Sequence, residues 1–240
     1  KGLENGWLDG IKAYDLQGVI DRYSTHDYRT YYNAYESRAA EYKAKTNGKV
    51  CVTEFGTANP AFKLSNVGRL ISVANNGLHT ALEWCLSNSA FADPFSGIHD
   101  AGICLYKNKV VNGRYTNELE IGSISHEYGP AMRYIPKNSK VLQSKCNNVA
   151  DLHAAAFENN GQYTLVVETA PSGNRELKIN LSALSLAGKK LKRIYYNIES
   201  AEPRSTALPA ATEVTVGADG WLCESLTATH GMYLYTTVAD

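Results

Sequence analysis

Apolar and polar residues follow different patterns in the two halves of the chain. In the first half, short apolar, β-branched runs alternate with longer segments, of which one is rich in Ala, Glu, Tyr and Lys. These patterns predict strands at Val19–Tyr23, Lys49–Phe55 and Thr80–Leu86, and helices at Thr30–Lys45 and Ser65–Asn75. An Asn-Gly pair follows each helix, as is typical of helix C-termini. The order strand, helix, strand, helix, strand predicts the βαβ units of a parallel sheet.

A last helix is predicted at the end of this half. A loop-rich stretch, Asp93–Thr116, comes first, and the helix then covers Ile121–Ile135 and stops at Pro136. Tyr128 and Met132 recur there at helical spacing. We therefore expect residues 1–136 to form an α/β domain.

The second half consists of short strand-like runs that are mostly separated by turn residues such as Asn, Gly and Ser. The predicted strands are Val141–Lys145, Leu152–Glu158, Tyr163–Glu168, Glu176–Leu181, Lys192–Asn197, Glu213–Val216, Trp221–Leu226 and Met232–Thr237. Many short strands at this spacing are typical of an antiparallel sandwich or barrel. We expect it to cover residues 137–240.

Composition narrows the possible partners. Lys and Arg number 24, as do Asp and Glu, so the formal net charge of +0 favours neither nucleic acid nor an anionic membrane as a partner. No apolar run reaches the roughly 20 residues that span a bilayer. The five cysteines are scattered without a CxxC pair, which argues against a zinc site. The sequence predicts no metal and no cofactor.

Glu54 is the most informative residue of the chain. It lies at the carboxyl end of a predicted buried strand, just before Gly56, and in barrel enzymes that end faces the active site. A carboxylate there can attack the anomeric carbon of a sugar and form a glycosyl-enzyme intermediate. The alternative is a strand-end Glu in a surface salt bridge.

Other side chains at or after the strand ends suit sugar binding. The candidates are Tyr23, His26 and Tyr28 around the preceding strand end, Trp84 at the next one, and Asn88 and His99 in the loops that follow. His and Tyr can hydrogen-bond a carboxylate or sugar hydroxyls, and an indole can form the floor of a sugar subsite. The alternatives are a structural histidine at position 26 and core packing of Trp84. Glu83 points away from Trp84 by strand alternation, and either one can face the interior.

The motifs resemble those of a known group of enzymes. Cys51–Gly56, Ser24–Tyr28 and Trp84 resemble the last three strand ends of clan A glycoside hydrolases, especially members with an appended β-sandwich such as families 30, 39 and 5. Tyr128–Pro136 resembles their final helix, and Met232–Tyr235 the end of their sandwich. The resemblance implies the last three βα units of a (β/α)8 TIM barrel in residues 1–136 and a β-sandwich in 137–240. It also implies retaining cleavage of β-glycosidic bonds in an oligo- or polysaccharide, with Glu54 as nucleophile.

The chain departs from this group in one respect. The acid/base Glu of these enzymes ends the fourth barrel strand, and no candidate for that strand precedes Val19. Either another chain or a removed segment supplies that part, or the protein is not a complete catalyst, and we expect the chain alone to be inactive. An open barrel edge would expose apolar faces and unpaired backbone groups. We therefore expect a second copy or an N-terminal barrel fragment to cover it.

Two other interpretations remain open. In a non-catalytic carbohydrate-binding protein, aromatic side chains of the sandwich would stack on sugars. The candidates are Tyr195, Tyr196, Trp221, Tyr233 and Tyr235, for which inward packing is the favoured alternative. In the other interpretation, the sandwich only supports the barrel, which leaves Glu54 unexplained. In either case we expect a secreted protein, extracellular or periplasmic.

Overall fold

The computed structural model describes residues 6–26, 32–46, 50–55, 66–83, 87–88, 106–121, 123–144, 152–169, 175–198, 209–226 and 230–239. The chain divides into two units, Lys1–Ser125 and His126–Asp240. Among the described residues, no helix is long and apolar enough to cross a membrane. The proposed functional division, a barrel part up to residue 136 and a sandwich from residue 137, stays a prediction.

The first unit contains a three-stranded parallel sheet with helices between its strands. Its elements are α1 (Trp7–Ala13), β1 (Tyr23–His26), α2 (Tyr32–Lys45), β2 (Val50–Phe55), α3 (Asn66–Asn75) and β3 (Ala81–Glu83). The strand order is β1-β2-β3, and both pairs are parallel. The predicted βαβ order is therefore confirmed, and the bounds of α2 and β2 agree with the prediction to within two residues.

Apolar side chains and one helix cap explain why these elements form where they do. Val50 and Val52 of β2 are fully buried, as are Val67 and Ile71 on one face of α3. Helix α3 ends where Gly77 adopts φ 65°, and the N–H of the next residue donates to the carbonyl of residue 73 at 3.1 Å. This is the Schellman arrangement that the Asn-Gly pair predicts.

The first strand lies later in the chain than predicted. Residues 17–19 form a turn, and Val19 is 80% exposed, so the apolar run at 19–23 does not form the strand. Instead β1 has buried Tyr23 and Thr25 on either side of exposed Ser24. Thr25 can be buried although it is polar, because its hydroxyl is within hydrogen-bond distance of the Tyr42 hydroxyl of α2, at 3.2 Å. Sequence polarity alone could not reveal this partner.

A β-hairpin occupies the end of the stretch that was predicted to be loop-rich. Strands β4 (Ser87–Asn88), β5 (Tyr106–Val111) and β6 (Arg114–Ile121) form a second sheet, in which β5 and β6 are antiparallel. Asn112 and Gly113 connect them, both with positive φ, as a two-residue hairpin turn of type I′ requires. Ile121 belongs to β6, so the last helix, α4 (Ser123–Tyr134), begins two residues later than predicted.

The second unit is an antiparallel sandwich. Its strands are β7 (Lys140–Leu142), β8 (Leu152–Asn159), β9 (Gln162–Thr169), β10 (Arg175–Asn180), β11 (Lys190–Asn197), β12 (Ala211–Thr215), β13 (Trp221–Leu226) and β14 (Gly231–Thr236). Six of them form a sheet of order β12-β11-β14-β9-β8-β7, and β10 and β13 form a two-stranded sheet. All eight predicted strands of this half are found.

The two sheets of the sandwich share one apolar core. Val167, Leu191 and Tyr233 of the large sheet join Leu177 and Leu222 of the small sheet in one cluster of buried side chains. Strand β14 is buried along its whole length and lies between β11 and β9 in the large sheet. The alternation of buried and exposed positions along β13 is typical of a strand with one face on a core.

Helix α4 is anchored on the large sheet through its C-terminal end. The Thr164 hydroxyl of β9 donates to the carbonyl of Tyr134, and the Lys192 ammonium lies 5.5 Å from the centre of the Tyr134 ring. Ala131 and Tyr134 are buried, whereas Met132 is 57% exposed, so Met132 is not part of the buried face that its spacing suggested.

Candidate functional site

The candidate site lies at the carboxyl edge of the parallel sheet. Strands β1, β2 and β3 end there at His26, Phe55 and Glu83. The register pairs His26 with Glu54, and Phe55 with Glu83. Because neighbouring strands lie about 4.8 Å apart, these backbone positions form one continuous edge. In α/β barrels such an edge carries the catalytic groups.

The register shifts at this edge. Thr25 pairs with Val52, but His26 pairs with Glu54, so β2 contains one extra residue opposite β1. A one-residue shift exchanges the faces of a strand. The backbone positions 26 and 54 are therefore register partners only because of this extra residue. Such bulges are common next to active sites, where they change the direction of a residue.

Hydrogen bonds fix the strands that lead to the edge. The N–H of Val52 donates to the carbonyl of Thr80 at 2.8 Å, and the thiol of Cys51 lies 3.6 Å from the Thr80 hydroxyl. On the other side of β2, the contact between Thr25 and Tyr42 joins β1 to α2. Rigid strands of this kind hold a site more accurately than loops do.

Some predicted site residues come together and others do not. His26 and Glu54 are register partners in the backbone. Tyr23 is buried and pairs with Val50 at the amino end of the strands, about three residues from the edge. Asn88 lies in β4, in the other sheet of this unit. Tyr28, Trp84 and His99 lie outside the described residues, so their roles, like those of His26 and Glu54, stay predictions.

In the described part of the chain, no group of three or more His, Cys, Asp or Glu side chains is placed to hold a metal ion.

The second unit contains a polar cluster that the sequence did not reveal. Glu224 of β13 contacts the Arg193 guanidinium and accepts a hydrogen bond from the Tyr235 hydroxyl. Burial, with the hydrogen bond to Glu224, raises the pKa of Tyr235 well above its usual range, so the phenol stays protonated. Strand alternation was the available signal, because Glu224 lies between the inward-facing Leu222 and Leu226.

A second buried pair joins Glu168 of β9 to His230, which directly precedes β14. The imidazole of His230 is 2.8 Å from the carboxylate of Glu168, whose side chain is only 3% exposed. Both polar clusters belong to the sandwich, and neither contains a residue predicted for the carboxyl edge of the parallel sheet.

Comparison with known proteins identifies the fold. No protein-family model and no curated protein matches the chain. The chain is similar in structure to a family 30 endoxylanase from Clostridium papyrosolvens C71, with 14% identity, a TM-score of 0.57, and coverage of 98% of this chain and 51% of the other. It also resembles a thermostable family 51 α-L-arabinofuranosidase from Thermotoga petrophila RKU-1, with 11% identity, a TM-score of 0.56, and coverage of 91% and 53%. Both of these similar structures are clan A glycoside hydrolases, and the likeness is one of fold.

A third similar structure has no stated activity. It is a conserved exported protein from Bacteroides fragilis, with 9% identity, a TM-score of 0.60, and coverage of 90% of this chain and 46% of the other. The chain spans about half the length of all three proteins. The glycoside hydrolases that it resembles are TIM barrels with C-terminal sandwich domains. At these identities the likeness concerns the fold alone.

Proposed function

We propose that this protein is a retaining glycoside hydrolase, or the nucleophile-bearing part of one, that acts on β-linked oligo- or polysaccharides. The observation that carries the proposal is the register of β1 and β2, which pairs Glu54 with His26 at the carboxyl edge of a parallel sheet. Its likeness to glycoside hydrolase folds supports the same class of reaction.

In the proposed reaction, Glu54 is the nucleophile. Its carboxylate attacks the anomeric carbon while the bond to the leaving oxygen breaks, and a covalent glycosyl-enzyme forms. Water then cleaves this ester with net retention of configuration. His26 and Tyr28 would hydrogen-bond the nucleophile or the sugar hydroxyls, and Trp84 would form the floor of a sugar subsite.

The leaving group needs a proton from a second carboxyl group about 5–5.5 Å from the nucleophile. We assign this acid/base to a polypeptide that covers the free side of β1. Within the described residues, β1 pairs only with β2. The segment before β1 also exposes large apolar side chains, among them Trp7, Tyr14 and Val19. Such a surface is suited to being buried against further barrel elements.

We further propose that the protein acts outside the cytoplasm. Its likeness to a conserved exported protein is consistent with this location, as is a polymeric carbohydrate substrate, which cells meet mainly outside their membrane.

Labelling with mechanism-based inhibitors tests the assignment of Glu54. The protein is incubated with 2-deoxy-2-fluoro glycosides of glucose, xylose and arabinose that carry a dinitrophenolate or fluoride leaving group. Such groups depart without protonation, so the first step does not need the acid/base. Mass spectrometry of peptides should find one sugar ester on Glu54 and none in Glu54→Gln.

Glu83→Gln serves as the matched control, since Glu83 lies at the same edge on the neighbouring strand. This variant should be labelled like the wild type. A sugar ester on any other residue, or the absence of labelling by the whole series when a barrel-completing partner is present, would overturn the proposal.

A further inference from the structure

Among the described aromatic residues of the sandwich, one is exposed. Of the aromatic side chains that the sequence offered for sugar stacking, Tyr233 and Tyr235 are 0% and 1% exposed, respectively. Trp221, in contrast, is 39% exposed at the start of β13. The indole therefore presents a large apolar surface to solvent. The two buried tyrosines, in contrast, cannot contact a ligand.

Polar side chains lie on the same outer face of the two-stranded sheet as this indole. The outer face of the two-stranded sheet consists of three register pairs, Asn180 with Trp221, Lys178 with Cys223, and Glu176 with Ser225. We call these six residues the Trp221 face. Its inward-facing neighbours, such as Leu222 and Leu226, are in the core, so the six outward positions belong to a surface with a rigid base.

Hydrogen bonds hold the Trp221 end of this face in place. The N–H of Trp221 donates to the Asp219 carboxylate at 3.1 Å, and its carbonyl accepts from the N–H of Gly217 at 2.7 Å. On the other strand, the side-chain oxygen of Asn180 accepts from the N–H of Ser182 at 3.0 Å. The NH2 group of Asn180 donates to no described residue, so it can serve a ligand next to the indole.

The charges of the Trp221 face indicate what kind of ligand it fits. Its two charged residues, Glu176 and Lys178, have opposite signs and cancel, and the neighbouring Asp219 adds one negative charge. A surface without net positive charge does not attract phosphate backbones or acidic polymers. An aromatic plane next to amide and hydroxyl groups matches a sugar, which has an apolar C–H face and a rim of hydroxyls.

We infer that the Trp221 face binds an uncharged polysaccharide chain, as a secondary site that is separate from the carboxyl edge of the parallel sheet. Trp221 stacks on a sugar ring, and the NH2 group of Asn180 donates to one of its hydroxyls. The choice of a glycan as ligand rests in part on the proposed function. The site would hold a polymeric substrate near the enzyme and would leave the turnover of small glycosides unchanged.

Affinity electrophoresis of the full chain tests this inference. Migration is measured in gels that contain xylan, arabinan or β-glucan, with acidic polygalacturonate as the charged comparison. The wild type should be retarded by at least one neutral polymer, and Trp221→Ala should weaken this binding by about five- to tenfold. Trp7→Ala is the matched control, because Trp7 is 68% exposed but belongs to the first unit. It should bind like the wild type.

Cys223 provides a second measurement, since this exposed free thiol lies on the same face two residues from Trp221. A bound neutral polymer should slow its alkylation in the wild type and not in Trp221→Ala. Equal retardation of the wild type and Trp221→Ala, an equal loss in Trp7→Ala, or binding to polygalacturonate alone would overturn the inference.

These experiments can contradict the proposed function and the secondary site independently of each other. Glu54→Gln should keep the full retardation, because it leaves the Trp221 face unchanged. If Glu54 carries no sugar label but Trp221→Ala still loses retardation, only the proposed function is wrong. If Glu54 is labelled and Trp221→Ala is retarded like the wild type, only the secondary site is wrong.

Discussion

Arg193, Glu224 and Tyr235 place an ion pair and a phenol between the two sheets of the sandwich. The Arg193 and Glu224 side chains are 22% and 15% exposed, respectively, so both lose most of their hydration on folding. Their mutual attraction and the hydrogen bond from Tyr235 offset this cost. A cluster of this kind stabilises the fold only while all of its members are present.

Removing the charge of Glu224 should therefore destabilise the sandwich. Glu224→Gln keeps the shape of the side chain but leaves the Arg193 charge half-buried without its counter-ion. We expect the free energy of unfolding to fall by about 2 kcal/mol, somewhat below the cost of breaking a fully buried pair because water still reaches this one. Urea denaturation, followed by circular dichroism, measures the change.

An exposed ion pair provides the control. The Lys190 ammonium nitrogen lies 3.0 Å from a carboxylate oxygen of Glu213, and both side chains are about two-thirds exposed. Glu213→Gln should therefore change the free energy of unfolding by less than about 0.5 kcal/mol. Equal losses in the two variants would show that the position of Glu224 in the core has no special effect.

At the scale of elements, the turn before β13 depends on its last glycine. Gly220 has φ 81°, and a Cβ atom added there would lie 2.4 Å from the Ser182 hydroxyl oxygen. Gly220→Ala therefore adds a steric clash to the cost of the left-handed conformation. Gly188 has a similar φ of 70° but no atom within 4 Å of such a Cβ.

We expect Gly188→Ala to lower the free energy of unfolding by about 1 kcal/mol and Gly220→Ala by about 3 kcal/mol. Thermal and urea unfolding of both variants give the comparison. If Gly220→Ala lost no more stability than Gly188→Ala, the close contact with Ser182 would not constrain the turn.

The elements that the sequence predicted well are those specified by local signals. Helix α3 has an apolar face and an Asn-Gly cap, and both act within the helix itself. In contrast, β1 depends on the contact of Thr25 with Tyr42, 17 residues further along the chain. The hairpin of β5 and β6 begins in a stretch predicted to be loop-rich, although Asn112-Gly113 is a typical hairpin turn signal.

The candidate site was predictable only in part, because only some of its features depend on local signals. The position of Glu54 at a strand end follows from the apolar run before it. Its register with His26 requires a bulge, which no pattern of apolar residues reveals. The sequence also did not show that Trp221 is exposed whereas Tyr233 and Tyr235 are buried, because this depends on which face of each strand packs on the core.

At the scale of the whole molecule, the free side of β1 and the apolar segment before it should affect the association state. We expect the chain alone to form dimers or larger species in size-exclusion chromatography with light scattering, because strand edges and apolar surfaces tend to pair. Val19→Lys, which places a charge on this segment, should reduce the association.

Val111→Lys is the control for this experiment. Val111 is 45% exposed on the hairpin, away in sequence from the segment before β1, so its change should leave the measured mass unaltered. If the wild type and both variants are monomers at every concentration, the expectation that another polypeptide covers the edge of β1 is wrong.

The extra residue in β2 has a consequence for anyone who redesigns this protein. A bulge interrupts the regular ladder, so a procedure that rewards only regular pairing would delete it. The resulting ladder would be regular, yet Glu54 would no longer be the register partner of His26, and the proposed chemistry depends on that pairing. Stability gained in this way would come at the expense of the proposed activity.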